Sequence, residues 1–426
     1  MNPSRPRKWP RVLVLVALTV AALGGAVLAL NLRDEPDMAQ AVADPAPTAL
    51  QIQRGAYLAR AGNCQSCHTQ AGGAAYAGGR GIDTPFGVVY AGNLTPAPQT
   101  GLGTWNATHF WRALHNGRSK DGHLLYPAFP YPQFTRVTRD DSDALFAYLR
   151  SLAPVERPAT PHALRFPFST QAALAVWRAL FFTPERDPTQ PEKSDAWNRG
   201  RYLVQGLGHC AACHSPRNAL GGTSATALFS GGAMPAQKWY APSLLSRQEA
   251  SVAEWADSEV VDLLQAGVSR SGNVSGPMAE VVFGSTQYLS EDDLGAMASY
   301  LKDLPPVRAR AEAVLPANTQ VVQRGAKMYE HHCANCHGDQ GQGVTGIYPA
   351  LAGNRAVTLP TSANLVRVLV GGGFAPVTAR NPRPYGMPPF GQALGNRELA
   401  DVLTFIRQAW GNQASEVSEL EVLQAK

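Results

Sequence analysis

Hydrophobic residues along this chain follow two patterns, one unbroken run and a recurring stripe. Residues 12–30 are apolar and uncharged, close to the length that crosses a bilayer as a helix. Further on, apolar positions recur every three or four residues in three acid-started stretches, 141–150, 291–302 and 398–408. That spacing predicts amphipathic helices with one buried face each. Ahead of each stands a glycine-containing helical stretch: Arg54-Gly55-Ala56-Tyr57, Arg199-Gly200-Arg201-Tyr202 and Arg324-Gly325-Ala326-Lys327. A glycine lets one helix cross closely over an aromatic on another. Gly55 is therefore expected against Tyr148, Gly200 against Tyr300, and Gly325 against Phe405. The chain is expected to be mostly α-helical and threefold repeated.

The segments divide as a membrane anchor or signal segment at 1–31, a linker at 32–50 and a first domain at 51–158. A connection follows at 159–194, then a second domain at 195–308, a third at 318–412, and a C-terminal tail at 413–426. The connection is too apolar for a free linker, with Leu174, Val176, Trp177, Leu180, Phe181 and Phe182. It is expected either to pack across the first two domains or to dock a partner or the membrane surface.

Charge narrows the class. The formal net charge is +5, and Arg5, Arg7, Lys8 and Arg11 supply four of it ahead of the apolar run. The rest is nearly neutral, so no nucleic-acid partner is expected. With 45% hydrophobic residues, intrinsic disorder is excluded.

The six cysteines carry the chemistry. They fall as Cys64-Gln65-Ser66-Cys67-His68, Cys210-Ala211-Ala212-Cys213-His214 and Cys333-Ala334-Asn335-Cys336-His337. C-x-x-C-H is the pattern of c-type haem attachment. Residues three and four apart share one helix face, so both thiols reach the haem vinyl groups together. The adjoining His68, His214 or His337 then lies under the iron as proximal ligand. A zinc site or redox dithiol would leave the three repeated histidines unexplained. The expected cofactors are three covalently bound haems c. Covalent attachment implies maturation outside the cytoplasm. With the basic residues held inside, everything after residue 31 faces the periplasm. No good A-x-A cleavage site ends the run, which favours a retained inner-membrane anchor over a cleaved signal.

The distal ligands differ between sites. A thioether is the usual sixth ligand of such carriers. Met387 and Met278 each precede the closing helix of their domain and fit that role, with Met234 a rival for the second site. Met297 and Met328 fall on helix stripes, as core methionines do. Between His68 and Cys210 there is no methionine, and Phe129 stands where one is expected. The nitrogen donors nearby are His109, His115, Lys120 and His123. His123 is the best placed of them, and an open iron covered by Phe129 is the alternative.

Residues 50–411 resemble a known family, the three-haem cytochrome c subunit of membrane-bound periplasmic dehydrogenases of the alcohol, gluconate and fructose type. The resemblance rests on Ala91-Gly92-Asn93-Leu94-Thr95-Pro96, Tyr126-Pro127-Ala128-Phe129-Pro130-Tyr131, Gly276-Pro277-Met278-Ala279-Glu280 and Met387-Pro388-Pro389-Phe390. It implies three tandem class I cytochrome c domains after an N-terminal transmembrane or signal helix. It also implies a catalytic dehydrogenase partner and electron relay to ubiquinone or a terminal oxidase, with no substrate chemistry of the chain's own. Phe129 departs from the alcohol dehydrogenase type, and related cytochromes accompany molybdenum hydroxylases, so the partner is a quinoprotein, a flavoprotein or a molybdenum enzyme. The competing expectation is a haem enzyme or sensor that binds a small ligand at an open first haem.

Overall fold

A computed structural model describes residues 9–38, 45–186, 188–307 and 315–426; Arg5, Arg7 and Lys8 lie outside the described residues. The helices, in chain order, are α1 (Trp9–Asn31), α2 (Ala49–Ala61), α3 (Ala107–Asn116), α4 (Arg139–Ser151) and α5 (Gln171–Phe181). Then come α6 (Asp195–Tyr202), α7 (Asp257–Ala266), α8 (Pro277–Gly284), α9 (Glu291–Lys302) and α10 (Thr319–His332). The last are α11 (Ala363–Gly371), α12 (Asn396–Gln408) and α13 (Glu419–Ala425). Strands are short: β1 (Gly81–Thr84) pairs antiparallel with β2 (Gly87–Tyr90), which takes β3 (Ala163–Leu164) from the connection as its edge.

Three crossings organise the chain: α2 on α4, α6 on α9, and α10 on α12. Local sequence starts the first two closing helices cleanly. Thr138 caps α4 through the Asp141 amide, and Ser290 caps α9 through that of Asp293. Acidic first turns and basic last turns then complement the helix dipoles. The expected glycine pairs meet in all three repeats. A Cβ on Gly55, Gly200 or Gly325 would stand 2.7, 3.0 or 2.7 Å from the Cβ of Tyr148, Tyr300 or Phe405. It would also clash with a backbone carbonyl of the facing helix, at Ala144, Ala296 or Asp401.

Each crossing is pinned by an arginine–aspartate pair. Arg54 Nε donates to Asp141 at 2.7 Å, Arg199 Nε to Asp293 at 2.8 Å, and Arg324 Nη2 to Asp401 at 2.9 Å. The first two repeats exchange a further bond. Tyr57 Oη donates to Asp293 and Tyr202 Oη to Asp141, both at 2.6 Å. Their apolar residues accordingly form one continuous core running from Leu58 to Leu304, while the third repeat has its own. Lys327, exposed, stands in the third repeat where the others have their tyrosines. That repeat joins the second differently: Asn364 bonds both the amide and the carbonyl of Tyr240, at 2.8 and 2.7 Å, and Arg355 donates to the Ser251 carbonyl at 2.6 Å.

Two terminal segments are more ordered than a linker and a tail. Residues 32–50 read as a tether, yet the stretch up to Glu35 is bound to the first repeat. His115 Nε2 meets Asp34 at 2.9 Å, and Arg112 and Arg118 both donate to Glu35 at 2.7 Å. Asn31, at the end of α1, donates to the Ala175 carbonyl of α5 and accepts from the buried Arg178, at 2.9 and 2.8 Å. Residues 413–426 belong to the third core: Val417 and Val422 are buried, and Arg407 holds the Ser415 carbonyl at 2.9 Å. The first segment is fixed by polar bonds to residues distant in sequence, and the second by a few apolar side chains that join the third core.

Candidate functional site

Each C-x-x-C-H motif folds as a single helical turn just after the opening helix of its repeat. Asn63 and His209, immediately before the first two turns, have positive φ of 50° and 39°. That reversal aims the following cysteine back towards the repeat core. All six cysteines are free of disulfides. Burial pushes the Cys64 and Cys210 thiols up to about 12 and Cys333 up to about 11, with the neighbouring cysteine adding to it.

The histidines share one geometry. Nδ1 of His68, His214 and His337 faces the carbonyl of Gly92, Pro242 and Pro349 at 2.7, 2.7 and 2.9 Å. The carbonyl accepts a hydrogen bond from Nδ1–H, fixes the ring plane and leaves the Nε2 lone pair free to meet a metal. Burial lowers the pKa of all three rings against that hydrogen bond, so they stand neutral, as a metal ligand must. Among the described residues no three His, Cys, Asp or Glu side chains cluster to hold a metal ion themselves. Two thiols and one oriented imidazole at each turn are the donor set of a covalently held haem, and the residues fit it.

The other candidates separate by position. Met278 opens α8 and packs on the shared core of the first two repeats; Met387 packs on the third core. Met234 lies instead on a ribbon pairing with Trp239–Ala241, just before Pro242. Met297 is buried in the core, as its helix stripe predicts. Phe129 packs against the core of the first repeat, 5.4 Å from the Phe134 ring and 6.4 Å from Tyr131. His123 lies on a surface turn with its side chain 53% exposed, Nδ1 engaged at 2.6 Å by Asp121 and at 2.9 Å by Ser119. His115 is buried against Trp111 and bound to Asp34 and the Thr135 carbonyl, and His109 caps its own helix. Lys120 is exposed.

Sequence reasoning missed His209. Its ring meets Phe134 edge-on at 5.6 Å, across the seam between the first two repeats, and burial lowers its pKa. The two attachment turns converge on that seam: His209 hydrogen-bonds the backbone of Gly62, two residues before Cys64, and a Cβ on Gly62 would stand 3.5 Å from Leu207. A histidine directly before a cysteine was the available signal.

Helical repeats wrapped on such turns define a c-type cytochrome, and residues 52–153 and 322–410 match the cytochrome c family. The chain is 39% identical over 381 residues to the cytochrome c subunit of the alcohol dehydrogenase (quinone) of Gluconacetobacter polyoxogenes, covering 85% of this chain and 81% of that one. It is 36% identical to the gluconate 2-dehydrogenase cytochrome c subunit of Pantoea cypripedii, covering 88% and 89%. It is 31% identical to the fructose dehydrogenase cytochrome subunit of Gluconobacter japonicus, covering 98% and 90%. The chain belongs to the family of dehydrogenase cytochrome c subunits, which transfer electrons and are not the catalytic subunits.

Proposed function

We propose that the chain is a triple-haem relay. It would take electrons from a periplasmic dehydrogenase, of the quinoprotein, flavoprotein or molybdenum kind, and pass them to ubiquinone or an oxidase at the bacterial inner membrane. The observation that carries this reading is the set of three attachment turns, each with its imidazole oriented by a backbone carbonyl. Bound haem supplies reversible one-electron iron chemistry; the chain supplies attachment, axial donors and spacing. Cys64 and Cys67, Cys210 and Cys213, and Cys333 and Cys336 hold the three groups. His68, His214 and His337 ligate from below, in domains spanning 51–158, 195–308 and 318–412. The names of the relatives support a dehydrogenase partner, and the helix at residues 11–31, of mean hydropathy 2.6, supports a membrane anchor. A pyridine haemochrome assay is expected to return three haems per chain; two or fewer would end the reading.

Met278 and Met387 serve as the distal ligands of the second and third sites in this reading. The packing of Met278 on the shared core supports it over Met234, which lies on the ribbon instead. Met387→Ala is expected to lower one midpoint potential by roughly 0.1–0.3 V, within the ~0.8 V that axial ligands command, and to abolish one sulfur-to-iron charge-transfer band. An unchanged redox titration would remove Met387 from the site.

At the first site Phe129 covers the iron, and the commitment of His123 to Asp121 and Ser119 supports an open position over histidine ligation. Carbon monoxide is expected to bind one-third of the reduced haem. If none binds and His123→Ala abolishes a low-spin bis-nitrogen signal, His123 is the ligand after all.

A further inference from the structure

We infer that α5 is a second membrane contact, its outer face seated in the interfacial layer of the bilayer beside the point where α1 leaves it. The inference rests on α1 spanning the membrane, as proposed above. α5 is eleven residues long, roughly 16 Å. Its single charge, Arg178, is turned inward and only 3% exposed, where it bonds Asn31 and the Asn116 carbonyl. Outward it presents Ala172, Val176 and Leu180, four residues apart and hence on one face, with Val176 47% and Leu180 62% exposed. A helix that faces water carries polar residues on that side; this one carries none.

Continuity with the anchor identifies what covers it. Val27 is less exposed than the rest of the apolar run and Asn31 is buried, so the last turns of α1 are those that meet α5. Those turns lie at the periplasmic boundary of the bilayer, and α5 is therefore held at that depth. Two more exposed leucines flank it: Leu32 just past α1, 51% exposed, and Leu220, 47% exposed, whose carbonyl accepts the Trp177 indole N–H at 2.9 Å. A tryptophan with its N–H satisfied and its ring beside an apolar face suits the interfacial layer. Because Trp177 and Phe181 also touch the second repeat at Leu220 and Gly222, α5 would set the height of both repeats above the lipid.

The test uses the full haem-loaded chain in phosphatidylethanolamine–phosphatidylglycerol vesicles, with nitroxides on Val176→Cys and Leu180→Cys. Leu23→Cys in α1 reports the anchor, and Arg397→Cys in the third repeat reports water. At 176 and 180 the ratio of oxygen to nickel-chelate accessibility is expected about tenfold above that at 397, approaching that at 23. Low access to both reagents at 176 and 180 would mean protein burial and overturn the inference. Water-like access there with lipid-like access at 23 would overturn it while leaving the anchor intact; shielding that then appears only with the dehydrogenase present would assign the face to that partner instead. Water-like access at 23 would overturn both.

Discussion

Gly200→Ala is expected to destabilise the second repeat by about 3 kcal/mol, well beyond a usual surface change. The added methyl meets the Ala296 carbonyl and the Tyr300 Cβ on α9, and a helix backbone cannot swing aside as a side-chain tip does. Helix propensity works the other way, favouring alanine by up to about 1 kcal/mol, so the observed loss is net of that gain. Gly295, on the same facing helix, has nothing within 4 Å of its would-be Cβ. Gly295→Ala is therefore expected to stabilise by roughly 0.5–1 kcal/mol. Thermal unfolding of the two variants should move in opposite directions, with a fall of roughly 6–12 °C for Gly200→Ala. Equal shifts of one sign would mean that the crossing tolerates the methyl and that the glycines are helix starts only.

Asp293→Ala should cost about 3 kcal/mol, because it strands the Arg199 guanidinium and the Tyr57 hydroxyl together. Burial pushes the Asp293 carboxyl up, but the bonds from Arg199 and Tyr57 outweigh that and hold it below its ordinary value. The folded carboxyl thus titrates below the unfolded one, near about 3.9, so its contribution is whole at neutral pH and lost as pH falls through the folded value. A double-mutant cycle with Tyr57→Phe is expected to show coupling of about 1 kcal/mol at pH 7 that fades in acid. Additive losses at pH 7 would show that the tyrosine contributes nothing to the pair.

Much of this was legible in sequence because it is local. Attachment turns depend on residues three and four apart, amphipathic faces on one helical period, and the crossing glycines on a pattern repeated three times. The bonds of Tyr57 to Asp293 and of Tyr202 to Asp141 were not legible, since each joins residues far apart in the chain. Asn31 and Arg178 are similar: a polar residue ending an apolar helix gives no hint that a buried guanidinium awaits it. Methionine assignment sits between the two. Position before the closing helix favours Met278 over Met234, and the structure adds that Met278 packs on the shared core while Met234 lies on a β-ribbon.

The exchanged tyrosines of the first two repeats have a consequence for how such a chain grows. An interface in which each half gives the other the same bond is isologous, and it uses up the matching face on both sides. Nothing further can be added there by the same contact. The third repeat, with Lys327 in place of the tyrosine, is joined heterologously through Asn364 and Arg355. The array is thus a closed pair with one appended unit.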